Sequence, residues 1–114
     1  MLPVDLLYLS GFALLFAHEL DAIRRREWRF FAQPFDVGDE TAYRLFAAIH
    51  MPLFALLVFY WDAPAWQFGV DIFLIVHAVA HWTLRAHPLL DFDNWFSRIW
   101  IYGAGLAGVA HLAM

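Results

Sequence analysis

The chain has 114 residues, 63% apolar and 19% aromatic, with seven arginines, no lysine and eleven acidic residues for a net charge of −4. A soluble domain this small has a large surface for its volume and needs a polar shell; eighteen charges are too few to build one, so the medium facing most of the protein is expected to be lipid. The absence of cysteine excludes disulfides, thiolate metal sites and Fe–S clusters, and the acidic balance leaves no electrostatic footprint for nucleic acid.

Four apolar segments, residues 3–24, 42–61, 64–85 and 95–114, are each about 20 residues long, enough to cross a hydrocarbon layer of about 30 Å at 1.5 Å per residue. The expected fold is all-α: an up-down bundle of four transmembrane helices over about 3–29, 41–61, 64–86 and 94–114. The first segment resembles a secretory signal in its apolarity. Asp5 interrupts it, however, and His18-Glu19-Leu20-Asp21 stands where a small-residue cleavage site belongs, so it reads as a retained helix. After it, Arg24–Gln33 (RRREWRFFAQ) mixes arginines with Trp28, Phe30 and Phe31, the pattern of an amphipathic extension along the membrane surface.

The second segment carries Pro52, which cannot donate to the carbonyl of Ala48 and should loosen the helix beside His50. Asp62-Ala63-Pro64 forms a tight turn in which Asp62 can cap the third segment and proline occupies its first helical turn. His87-Pro88 closes that segment, and Asp93 or Asn94 can cap the fourth. In an up-down arrangement all seven arginines fall on one face, which the positive-inside bias assigns to the cytoplasm. Both termini then lie on the other side. No internal repeat is present.

Ionisable groups inside an apolar layer are costly and call for a partner or a purpose. His18 lies six residues before Arg24 and His50 six residues after Arg44, each about 9 Å inside the cytoplasmic boundary. His81 and His77 precede Arg85 by four and eight residues, or about 6 and 12 Å. Three helices thus deliver four imidazoles to nearly one level. His77 and His81 are four apart and share a helical face, a spacing that offers two nitrogen ligands to one ion. His18 and Asp21 also share a face, with Glu19 pointing about 100° away.

The expected site is therefore a divalent transition metal, Zn²⁺ or non-haem iron, held by His18, Asp21, His50, His77 and His81. Glu19 or Asp21 would act as general base in an enzyme, a hydrolase or oxidase, acting on a lipid-soluble substrate. The bland alternative is that each histidine merely bonds a neighbouring helix. Three other motifs carry less. His18-Glu19 lacks the second histidine of HExxH, since Ala22 stands there; the GxGxxG of Gly103–Gly108 sits in an apolar helix and fits close helix packing; His111 lies about 20 Å deep near the outer face, within reach of Asp71 or Asp5.

HELDAIRRREW, a histidine-proline helix and HAVAHWTLRAHP together resemble a family of small four-helix bacterial membrane proteins of unknown function. That resemblance implies a multi-pass protein of the bacterial inner membrane and supplies no activity. The HxxxH pair is also similar to that of the zinc-dependent ceramidase and adiponectin-receptor superfamily and of membrane di-iron hydroxylases and desaturases. By that likeness His77 and His81 are metal ligands, although those proteins carry additional motifs missing here. Three other functions compete. One is a b-type cytochrome with bis-histidine haem in a bundle. Another is a non-enzymatic subunit or assembly factor of a larger membrane complex or homo-oligomer. The last is a proton or metal transporter using Asp5, Asp71 and His111.

Overall fold

A computed structural model describes residues 2–114. The chain is all-α: five helices, and no strand among the described residues. They are α1 (Pro3–Arg24), α2 (Trp28–Ala32), α3 (Asp39–Phe59), α4 (Pro64–Thr83) and α5 (Trp95–Leu112).

Proline opens α1 and α4 at their first turns, where its missing N–H would have no partner in any case. Asp5 accepts the Leu2 N–H at 2.9 Å, filling another of the unpaired groups at the start of α1. Asp62 does not cap α4: the N-cap is Ala63, without a side-chain bond. Asn94 caps α5, accepting the Ser97 N–H at 2.9 Å. α3 runs unbroken through Pro52.

The first helix ends earlier than its arginine-rich continuation implies. The Glu27 N–H bonds the Ala22 carbonyl and the Arg26 N–H bonds that of Ile23, the paired bonds of a Schellman turn. Arg26 takes the left-handed conformation that this turn requires, with φ of 57°. Arginine there carries a Cβ penalty that glycine avoids. The chain therefore reverses at Arg26 and restarts as the short α2, in place of one helix through residue 29.

α1 and α4 both pack along α5. Tyr8, Phe12, Leu15, Val70, Leu74 and Ala104 form the core at one end, and Ala22, Leu90, Phe92 and Ile101 form it at the other. Close approach depends on the glycines of α5. A Cβ on Gly105 would lie 2.7 Å from the Ala78 methyl, and one on Gly108 would lie 3.0 Å from the Asp71 carbonyl oxygen. The GxGxxG run is thus a helix-packing surface, as its apolar setting implies.

α3 lies against this unit differently. Only Ala42 and Leu57 of its residues are buried, while Ile49, Met51, Val58 and Phe59 are 63–79% exposed. Aromatic contacts bridge it to the rest: Phe54 to Phe16 at 4.4 Å and Tyr43 to Trp28 at 5.0 Å between ring centroids. Two helices, α1 and α3, are long and apolar enough to cross a membrane, with mean hydropathy 1.4 and 1.7. α4 is diluted by Gln67, Asp71, His77 and His81, and α5 by Ser97, Arg98 and His111.

Candidate metal centre

The histidine pair of α4 faces α1. His77 and His81, one turn apart, have ring centroids 4.6 Å from each other. The His18 ring sits 4.6 Å from His77 and 5.1 Å from His81. The Schellman turn folds Glu27 back beneath them, so that its carboxylate lies 3.4 Å from His18 Nε2 and 3.8 Å from His81 Nε2. One ligand atom from each of His18, Glu27, His77 and His81 can be chosen so that all four lie within 4.8 Å of one another. His18 is 1% and Glu27 6% exposed, and Phe92 packs on both His18 and His81.

The hydrogen bonding of this cluster is incomplete. His18 Nδ1 and Nε2, Glu27 Oε2 and His77 Nδ1 are all buried without a hydrogen-bond partner; the 3.4 Å contact between His18 and Glu27 is not aligned as a bond. Buried polar atoms are paired almost without exception in folded proteins, and each unpaired one costs about 1–3 kcal/mol. These atoms belong to three of the four clustered residues, His18, Glu27 and His77, and the arrangement could hold a cation. The ligand set is chemically suitable: three imidazoles and a carboxylate match Zn²⁺ or Fe²⁺. A tetrahedral ion with bonds of about 2.0–2.1 Å needs its ligands about 3.4 Å apart, so from a separation of up to 4.8 Å the side chains have to close by up to about 1.4 Å.

Three of the histidines selected by depth, His18, His77 and His81, are thus brought together, and three other sequence-selected groups are not. His50 belongs to a separate pair: its Nε2 lies 2.7 Å from Glu19 Oε2 and its Nδ1 2.6 Å from the Phe46 carbonyl oxygen. A carbonyl only accepts, so Nδ1 carries hydrogen, and Nε2 and Glu19 share one further proton. Asp21 faces α5 and not the imidazoles. Its Oδ2 accepts from Ser97 Oγ at 2.5 Å and its Oδ1 from Arg25 Nε at 3.4 Å. Both oxygens are engaged there, and Asp21 is not among the four clustered residues. Ser97, fully buried, also accepts from Asn94 Nδ2 at 3.0 Å, so the cap of α5 and the α1–α5 link are one network. At the far end His111 Nδ1 meets Asp71 Oδ2 at 2.5 Å.

Glu27 was not among the sequence-selected residues. It lies three residues beyond Arg24, on the polar side of the expected boundary, and only the reversal at Arg26 returns it. A glycine at that position would have flagged the turn; an arginine gives no such signal.

Residues 4–114 match the model of a family of unknown function, DUF6713. The chain belongs to DUF6713. No curated protein and no solved structure matches it. Membership of DUF6713 covers nearly the whole chain and agrees with the expected uncharacterised family, and it carries no activity with it.

Proposed function

We propose that this DUF6713 protein is a four-span membrane protein that holds one divalent transition-metal ion, Zn²⁺ or Fe²⁺, among His18, Glu27, His77 and His81. The observation that carries the reading is that His18, Glu27, His77 and His81 bring one ligand atom each to within 4.8 Å of one another, with buried, unpartnered atoms on the first three. The membrane placement draws on the apolar exposure of α3, the two span-length apolar helices and the positions of the seven arginines. Since a charge-poor surface of this kind is at home in lipid, the arginine face lies in the cytoplasm and both termini lie opposite. In that topology the metal sits just inside the cytoplasmic interface of a bacterial inner membrane, where it meets lipid-soluble molecules.

The HxxxH likeness to membrane zinc hydrolases and di-iron hydroxylases supports the same assignment for His77 and His81. A bis-histidine haem fits less well: its axial nitrogens lie on opposite faces of a macrocycle, whereas the His18, His77 and His81 rings touch one another edge to face. Elemental analysis of gently purified protein tests the proposal. One transition-metal ion per chain is expected, with strong loss in Glu27→Gln and His77→Leu. Absence of metal both as purified and after reconstitution with Zn²⁺ or Fe²⁺ refutes it.

A further inference from the structure

Beside the metal centre, on the outward side of α4 and α5, lies a second arrangement that the metal reading does not use. A cleft of about 520 Å³ is lined by Ala78, Val79, Trp82, Arg85, Asp93, Arg98 and Tyr102. Arg85 is held at its mouth. The guanidinium lies 4.1 Å over the Trp82 indole, and Nη1 donates to the Trp82 carbonyl at 2.7 Å. Among the described residues no carboxylate lies within ion-pairing distance of Arg85. Arg98, one of the other cleft residues, is paired with Asp93. Two guanidinium groups and one carboxylate leave the cleft with a net positive charge. A planar guanidinium held by stacking is pre-organised to grip a phosphate with two parallel N–H bonds.

The walls below the arginines are apolar, formed by Ala78, Val79 and the Trp82 ring. A ligand complementary to both parts has an anionic phosphate and a hydrocarbon tail. Behind the cleft a void of about 10 Å³, the size of one water, is lined by Arg85, Asp93 and Tyr102 and also by His81. The polar end of the cleft therefore backs directly onto a residue of the metal cluster.

The geometry points to a binding site for one anionic phospholipid, its phosphate on Arg85 and Arg98 and its acyl chain along Ala78 and Val79. This rests on the membrane placement argued above and is independent of whether a metal is bound.

The test uses the full chain in neutral detergent doped with phosphatidylglycerol or phosphatidylcholine, with retained lipid counted by native mass spectrometry. One phosphatidylglycerol per chain is expected, held in preference to phosphatidylcholine. Arg85→Gln/Arg98→Gln should weaken that retention by about tenfold or more. Arg24→Gln/Arg44→Gln removes the same charge from exposed positions elsewhere on the arginine face and should weaken it by no more than about twofold. Equal losses in the two double variants, or equal retention of the two lipids, overturn the site and leave the membrane and metal readings standing. Failure of the protein to insert into bilayers at all overturns the membrane reading instead. Metal content measured on the same samples should be unchanged by either double variant, which shows that the cleft arginines act on lipid and not through the fold of the metal centre.

Discussion

Replacing His77 by leucine should have opposite effects on the metal-free and metal-loaded protein. His77 Nδ1 is buried without a partner, so the metal-free state carries the cost of an unmet hydrogen bond, about 1–3 kcal/mol. Leucine removes that atom and retains apolar packing against Phe73, whose ring stacks on His77 at 5.5 Å. His77→Leu should therefore stabilise the metal-free protein by about 1–3 kcal/mol, or roughly 4 °C in melting temperature for each kcal/mol. Metal acts the other way. An ion present at about a thousand times its Kd stabilises the native state by about 4 kcal/mol, and this gain should be largely lost once one of four ligands is missing. Thermal unfolding followed by tryptophan fluorescence, in chelator and in excess Zn²⁺, gives all four values. If His77→Leu melts lower than the parent protein in chelator while both gain equally from metal, His77 is a packing residue and the orphaned-atom reasoning is wrong.

Ser97→Ala should cost about 1.5–3 kcal/mol, because it removes a buried hydrogen bond to a carboxylate, and it should leave metal stoichiometry unchanged because Asp21 faces α5; both are read from melting and elemental analysis. Gly105→Ala should lower stability by about 1–3 kcal/mol despite alanine's better helix propensity, since its methyl would meet that of Ala78 at 2.7 Å; chemical denaturation in mixed micelles measures it. Arg26→Gly relieves the left-handed backbone at φ 57° and should hold or raise stability by up to about 1 kcal/mol, with metal content retained.

Helix spacing made the α4 half of the site legible before any fold was known. His77 and His81 must share a face at a separation of four, and counting residues from the arginines set His18 at their depth. Depth, however, fixes only one coordinate. His50 has the right height, but its direction depends on how α3 is turned, and α3 is buried at only two positions, so its own pattern carries little information about facing. There Glu19 captures His50. Asp21 shares a helical face with His18 by spacing, yet the buried Ser97 hydroxyl, 76 residues later in the chain, decides where its carboxylate points. The helix starts were readable where local chemistry is strong, at Pro64 and Asn94. The end of α1 was not, because the left-handed position is filled by arginine, and Glu27 was lost with it.

The turn at Arg26 separates the cluster into parts of different origin. His18, His77 and His81 are fixed by long helices packed face to face, whereas Glu27 arrives on a short connecting piece whose position is set by two backbone hydrogen bonds. Unwinding that piece would withdraw the carboxylate without disturbing the imidazoles, and an ion held there as proposed would keep three nitrogen ligands from the protein, the ligand count that distinguishes reactive zinc centres from purely architectural ones.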